Sequence, residues 1–396
     1  MVSVQEAKSK IIENTKVLAS EMRSTSDALG YVIASDILAP ISLPPFRQSS
    51  MDGYAIYHSD VITSGTRLKV LGEVKAGEGA IQTLFPGQAM RIFTGAPVPE
   101  DATAVVMQER TSRDGDFVVV DDFPIASGKN IRSIGQQIRE GSVALPQDTL
   151  VTAGVIGFLA GLNVENIQVY KKPKIGLLIT GDELVQNGET IAHGQVYESN
   201  SSMLRAALNQ EGITSVEVLY ATDDLENTID ALRKLTYNND VVLVSGGISV
   251  GDYDFVGRAL EAVGAETVFY KVKQKPGKPL LFAKSGDKLF FALPGNPASS
   301  LVCYYEYVLP AIRKMSGRND YFLIKLSMPI DRDYAFDGAR DEFLKATLMQ
   351  DVVIPLDGQE SFALRSFAVA NAIIYLPTDQ NIVKKGDLVE VHVMPN

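Results

Sequence analysis

From residue 171 to about residue 315 the chain repeats one rhythm. An apolar, strand-like run breaks at a Gly- or Asp-bearing turn and passes into an amphipathic stretch. The runs are Lys174 to Thr180, Ser215 to Tyr220, Val241 to Val244 and Leu289 to Ala292. The turns that follow are Thr180-Gly181-Asp182-Glu183, Ala221-Thr222-Asp223-Asp224, Ser245-Gly246-Gly247-Ile248-Ser249-Val250-Gly251 and Leu293-Pro294-Gly295-Asn296-Pro297. Helical patterns are expected over Ser201 to Gln210, Leu225 to Leu235, about Asp254 to Ala262, and about Ala298 to Met315. This alternation predicts a mostly parallel sheet with helices on both faces. In such a sheet the functional groups lie beyond the carboxyl ends of the strands. All four turns fall there.

The rest of the chain follows other patterns. Ser3 and Glu6 make a capping box, and Val4, Ala7, Ile11 and Ile12 recur at helical spacing behind it. Pro44-Pro45 ends regular structure. Short β-like runs then follow, among them Arg67 to Leu71, Ala89 to Phe93, Ala104 to Met107 and Phe117 to Val120, separated by Gly and Pro. Helical sequence returns near residues 152–162. The last stretch is strand-like again and ends in Leu388-Val389-Glu390-Val391-His392-Val393. A chain of 396 residues exceeds one ordinary core. The pattern divides it into a connecting unit of residues 1–45 and 140–170, a small β domain of 46–139, an α/β domain of 171–318 and a C-terminal β-barrel-like domain of 319–396.

Charge and cysteine content remove several classes of function. A net charge of −11 argues against nucleic acid and acidic membranes as partners. Against that background Lys271, Lys273, Lys275 and Lys278 form a local basic run. The single cysteine, Cys303, excludes an intrachain disulfide framework and a Cys-cluster metal site. Its apolar helical setting reads as a buried small side chain. The three histidines, His58, His193 and His392, form no metal-binding pair. The apolar stretch from Val151 to Val164 is broken by Gly and too short to span a bilayer. With no leader-like apolar segment at the N-terminus, a reduced, cytoplasmic location is expected.

The strand-end turns collect a specific set of groups. Backbone N–H groups at Gly246, Gly247, Ser249 and Gly251 suit an oxyanion, because a helix start has free donors and a partial positive charge. Asp182, Glu183, Asp223, Asp252 and Asp254 add carboxylates. Carboxylates beside phosphate-binding turns point to a bridging Mg²⁺. Lys275 and Lys278 add positive charge.

Seven segments, in order, resemble the molybdopterin molybdenumtransferase (MoeA) family, whose animal relative is the E domain of gephyrin. They are Ser50-Met51-Asp52-Gly53-Tyr54-Ala55, Phe93-Thr94-Gly95-Ala96-Pro97-Val98-Pro99, Asn130-Ile131-Arg132, Thr180-Gly181-Asp182-Glu183-Leu184, Ser245 to Gly251, Lys275-Pro276-Gly277-Lys278-Pro279 and Leu293 to Pro297. The resemblance implies a four-domain subunit, with residues 171–318 as a molybdopterin-binding α/β domain. It implies a homodimer, dimerised through the connecting unit, whose active sites are shared between subunits. The implied reaction inserts molybdate into adenylylated molybdopterin and releases AMP, with Mg²⁺ as the metal. Carried over residue by residue, Asp52, Thr94, Glu183, Asp223 and Asp254 become the catalytic or metal-proximal residues, with Glu183, Asp223 and Asp254 the candidate Mg²⁺ ligands. Arg132, Lys271, Lys275, Lys278, Pro294, Asn296 and Pro297 shape the anion and pterin site, together with the Gly246, Gly247, Ser249 and Gly251 turn. Cofactor-synthesis enzymes and molybdoenzymes are the implied transfer partners.

One segment departs from the family pattern. After Asn130-Ile131-Arg132 the family commonly has Gly and an acidic pair, where this chain has Gly135-Gln136-Gln137. The amides keep hydrogen-bonding capacity and lose charge. Two other readings compete with molybdenum insertion. A molybdopterin adenylyltransferase uses a stand-alone α/β domain of the same type, and the flanking β domains argue against it. A gephyrin-like scaffold has no support in a long linker or fused second enzyme.

Overall fold

The computed structural model describes residues 1–79, 82–248, 255–378 and 381–395. Ser249, Gly251, Asp252 and Asp254 lie outside the described residues. At its centre is a six-stranded sheet in the order Val216–Ala221, Ile175–Thr180, Val241–Ser245, Lys288–Leu293, Leu281–Ser285, Glu266–Tyr270. The first four strands are parallel. The last two are added antiparallel through a hairpin. Ile175–Thr180 and Val241–Ser245 are buried at every position, which explains their unbroken apolar sequence.

Alternate residues of the central strands feed two cores. Leu178, Val242, Val244 and Phe290 pack against helices Leu225–Asn238 and Phe255–Ala262. Leu177, Leu243, Phe291 and Leu293 pack on the opposite face against Asn200–Gln210 and the long helical run from Pro297 to Met315. Helix Val4–Asn14 joins that same core through Val4, Ala7 and Ile11. Its start is capped as the sequence suggests, with the Glu6 N–H donating to the Ser3 hydroxyl at 3.1 Å. The Pro297 run widens to π-helical turns over Tyr304–Val308.

The connecting unit is stitched from two distant segments. Ser20–Ser24 pairs with Asn166–Tyr170, and Ile37–Leu38 pairs with Val143–Leu145. Helix Ala153–Gly161 completes it, with only Leu159 of its residues fully buried. The intervening β domain is a six-stranded sheet with an apolar cluster on each face. Gly53 sits mid-sheet on Gly53–Ile56, where a Cβ would lie 1.8 Å from the Val106 carbonyl oxygen. No larger residue fits that approach.

The C-terminal domain is built on Asp341–Leu348, Ala372–Leu376, Leu388–Val393 and Ile324–Pro329. Its sheet gains an edge from outside its own segment: Gln274–Lys275 pairs in parallel with Asp341–Leu348. The lysine run is therefore a crossing between two domains. Among the described residues no helix is long and apolar enough to cross a membrane.

Candidate active site at the strand ends

A cavity of about 680 Å³ opens at the carboxyl ends of the parallel strands. Its wall includes Thr180, Gly181 and Glu183 at the end of Ile175–Thr180, Asp223 beyond Val216–Ala221, Ser245 to Ile248 at the end of Val241–Ser245, and Pro294 to Pro297 beyond Lys288–Leu293. Each group is there because a parallel sheet delivers its loops to one edge.

The glycines let the turns approach one another. Gly246 has φ +98°, and a Cβ on it would lie 2.3 Å from the Thr180 carbonyl oxygen. A Cβ on Gly247, at φ +62°, would meet the Val256 side chain at 2.7 Å. Gly295 packs so near Gly246 that a Cβ on it would sit 3.7 Å from the Gly246 Cα. Asn200 ties the turns together. Its Nδ2 donates to Ser245 Oγ and to the Gly295 carbonyl, both at 2.8 Å. A carbonyl oxygen only accepts, so the amide orientation is fixed by this contact. Asn200 Oδ1 and Thr180 Oγ1 are buried and have no hydrogen-bond partner among the described residues. Such orphaned atoms cost on the order of 1–3 kcal/mol each, and sites completed by a ligand or water are where proteins keep them.

The carboxylates form a like-charged edge. Asp182 Oδ1 accepts from the Asp223 N–H at 3.1 Å. Partial desolvation, then the charges of Asp182 and Glu183, raise the Asp223 pKa above its ordinary value. The neighbouring Asp224 has a different task. It caps helix Leu225–Asn238 by accepting from the Asn227 N–H at 3.0 Å. Capping thus explains Asp224 and leaves Asp223 facing the cavity. Glu198, buried in the wall, accepts from both the Ser201 N–H and the Ser201 hydroxyl.

The other sequence candidates lie elsewhere in the subunit. Asp52 Oδ1 accepts from the Thr94 N–H and the Thr94 hydroxyl, each at 2.7 Å. These bonds hold its carboxyl below the usual range. The pair belongs to the β domain, and neither residue lines the strand-end cavity of its own chain. Arg132 lines a separate cavity of about 480 Å³ with Gln136 and Gln137. Gln136 Oε1 accepts from the Ser133 N–H at 3.1 Å, so the amide closes a turn that a carboxylate could close equally. Lys275 Nζ is bound 3.0 Å from Glu342 Oε1 of the C-terminal sheet. Lys271, at φ +70°, lays its Nζ 4.5 Å from the Tyr270 ring centre. Neither Lys278 nor these two lysines lines the strand-end cavity, although Pro279 does. Asn200, Glu198 and Phe362 of the wall were not singled out from sequence. The polar run Glu198-Ser199-Asn200-Ser201 reads as a helix start, and nothing local marks Phe362.

A glycine-turn cavity edged by carboxylates, at the strand ends of a parallel sheet flanked by two β domains, defines a site for an anionic substrate. Three family models match in order: the MoeA N-terminal region (domain I and II) over residues 2–163, a probable molybdopterin binding domain over 176–314, and the MoeA C-terminal region (domain IV) over 327–394. The chain belongs to the MoeA family of molybdopterin molybdenumtransferases. It is 32% identical to the molybdopterin molybdenumtransferase of Haemophilus influenzae over 99% of this chain and 98% of that protein. A Staphylococcus epidermidis protein of the same name is also 32% identical, over 98% of this chain and 95% of the relative. The crystal structure of the molybdopterin biosynthesis MoeA protein from Pyrococcus horikoshii OT3 superposes with a TM-score of 0.86 at 27% identity, covering 99% of this chain and all of that one. Matches on both sides of the α/β domain disfavour the adenylyltransferase reading, and full-length relatives named as molybdenumtransferases disfavour the scaffold reading.

Proposed function

We propose that this chain inserts molybdate into adenylylated molybdopterin, releasing AMP and forming the molybdenum cofactor. The observation that carries the reading is the cavity itself. It joins two glycine turns suited to oxyanions with Glu183 and Asp223 at one edge. Molybdate and the pyrophosphate of the pterin nucleotide are both anions; the Gly246 N–H already donates to the Leu293 carbonyl at 3.4 Å, so the donors for them are sought at the other residues of the two turns. Glu183 and Asp223 are the proton-handling groups. Partial desolvation, then the charges of Asp182 and Glu183, favour the protonated form of Asp223 relative to an ordinary aspartate while no cation is bound.

Mg²⁺ fits this donor set. Among the described residues no three carboxylates converge on one point. Mg²⁺ is commonly held by one or two carboxylates with substrate phosphates and water completing its shell. Glu183 and Asp223 would hold it, with Asp254 the further candidate from sequence. When bound, the ion would offset charge on the phosphoanhydride and on molybdate.

A homodimer with shared sites accounts for the separation of Asp52 and Thr94 from the cavity. Support comes from helix Ala153–Gly161, apolar on every side and largely uncovered, with Gly154, Gly157, Ala160 and Gly161 exposed. An apolar helix left open in one subunit fits a self-complementary interface. The buried Cys303 is compatible with a reducing, cytoplasmic setting. The test is to incubate purified protein with adenylylated molybdopterin, Mg²⁺ and molybdate. AMP release that depends on molybdate is expected. Turnover of ATP with molybdopterin instead would overturn the reading in favour of adenylyl transfer.

A further inference from the structure

One lining residue of the cavity comes from another domain. Phe362 belongs to the C-terminal domain, and no other described residue of 319–396 reaches this wall. The residue is 67% exposed. Single exposed aromatics are ordinary on protein surfaces. What sets this one apart is the bracing of its loop. Lys345, on the strand Asp341–Leu348, is 1% exposed. Its ammonium donates to three backbone carbonyls of the loop: Gly358 at 2.5 Å, Glu360 at 3.1 Å and Ala363 at 3.0 Å. The Gln359 side chain clamps the same strand, donating to the Lys345 carbonyl at 2.9 Å and accepting from its N–H at 3.0 Å. Burying a lysine costs free energy, and burial lowers its pKa here. Three carbonyls aimed at one ammonium offset that cost and fix the loop between them.

The far side of the loop docks on the Pro-Gly-Asn-Pro turn. Asn296 Nδ2 donates to Ser361 Oγ at 2.8 Å, and the Ser299 N–H donates to the Ser361 carbonyl at 3.2 Å. Phe362 follows directly, so its backbone is set from both domains while its ring stays uncovered at the cavity. A rigid backbone carrying a bare aromatic face beside a nucleotide-sized cavity is the geometry of a stacking platform.

We propose that Phe362 stacks on a planar heteroaromatic ring of the nucleotide substrate, so that the C-terminal domain sets substrate affinity while the strand ends do the chemistry. The inference rests on the functional reading above, whose substrate carries two such rings, pterin and adenine. The chain contains no tryptophan, so Phe362→Trp places one indole reporter at the site. Saturable quenching of its emission by AMP or by adenylylated molybdopterin is expected. In the otherwise native protein, Phe362→Ala is expected to raise Kd and KM about 10-fold, the scale of one lost base–aromatic stack. kcat should stay within about 2-fold, and Phe362→Tyr should restore the affinity. Weaker binding of both AMP and the full nucleotide assigns the stack to adenine; weaker binding of the full nucleotide alone assigns it to the pterin. Unchanged affinity for both in Phe362→Ala, or an indole silent to both, overturns the proposal. If the variants show these effects on nucleotide binding while the wild-type protein releases no molybdate-dependent AMP, the functional reading fails and the stacking stands.

Discussion

Glu183 and Asp223 differ in what their surroundings ask of them. Asp223 feels two neighbouring carboxylates and partial desolvation, which favour its protonated form. Glu183 stands in the same wall, on the turn whose backbone is held by a Leu184 N–H to Gly181 carbonyl bond of 3.2 Å. No described hydrogen bond engages the Glu183 carboxylate in a structural task, so its removal tests chemistry more cleanly than stability. Glu183→Gln is expected to leave the thermal midpoint and the oligomeric state unchanged. Molybdate-dependent AMP release should fall by at least roughly 10²-fold, the scale for losing a positioned acid–base group. Turnover near the wild-type rate would remove Glu183 from the reacting set. The Gln136 position carries the opposite lesson. Its amide closes a turn at Ser133, a structural task that survives the departure from the family's acidic pair.

At the level of strands and helices, the basic run shows how a sequence pattern divides between tasks. Lys275 lies on the strand Gln274–Lys275, which joins the C-terminal sheet, and its ammonium is the counter-charge of Glu342. Glu342 is 1% exposed and also accepts from the Tyr334 hydroxyl at 3.0 Å. Lys275→Ala therefore strands a buried carboxylate, and a lowered thermal midpoint is expected. Lys278 has no ion pair among the described residues. Lys278→Ala should leave the midpoint in place and weaken binding of adenylylated molybdopterin in a salt-dependent way. If Lys278→Ala binds the nucleotide as wild type does at low and high salt, the lysine run is structural throughout. The parallel sheet and its strand-end turns were legible because local rules govern them: continuous apolar runs for strands buried on both faces, then glycines where backbones must touch. The strands Leu281–Ser285 and Glu266–Tyr270 were not singled out from sequence, since their antiparallel addition depends on tertiary pairing. Phe362 and Asn200 were likewise beyond local reading. Phe362 reaches the cavity because a lysine far back on another strand cages its loop, and Asn200 matters because two turns distant in sequence converge on its amide.

Across the whole molecule, one chain of charges, buried at Lys8, Glu306 and His392 and open to solvent at Glu390 and Lys325, joins three parts of the fold. Lys8 of the first helix contacts Glu306 Oε2 at 2.5 Å, Glu306 Oε1 lies 2.6 Å from His392 Nδ1, and His392 Nε2 lies 2.8 Å from Glu390 Oε1, which Lys325 also meets at 2.8 Å. Both imidazole nitrogens face carboxylates, which selects the imidazolium. Burial lowers the His392 pKa and the charge of Lys8 opposes protonation, but Glu306 and Glu390 outweigh them and raise it above 6.5. Burial opposes the Glu306 charge, yet Lys8 and His392 bring its pKa down to about 2, and Glu390 is held at about 2 chiefly by its bond to His392. The signs define a window. The histidine's contribution is complete below its unfolded value of 6.5 and is lost as pH rises through the raised folded value. The glutamates' contribution is complete above 4.5 and is lost as pH falls toward 2. Thermal melts should show this contribution greatest between about 4.5 and 6.5, and His392→Gln should flatten the alkaline limb. An alkaline limb of the same slope in that variant would show that the cluster does not couple the domains through His392. The second prediction at this scale concerns the proposed dimer. Asp52 is braced by Thr94 in the β domain, with its carboxyl held ionised, and it does not line the cavity of its own chain. A charged group so placed acts on that chemistry only if a second subunit brings the two together. Asp52→Ala and Glu183→Ala should then each be inactive as homodimers. In a heterodimer of the two, one site combines the Asp52 of one subunit with the Glu183 of the other, while the second site lacks both. Co-expression with different tags and isolation of the mixed species should recover AMP release toward half the wild-type rate. A heterodimer as inactive as its parents would mean that Asp52 and Glu183 do not meet across the interface, and the role of Asp52 would have to be sought within its own subunit.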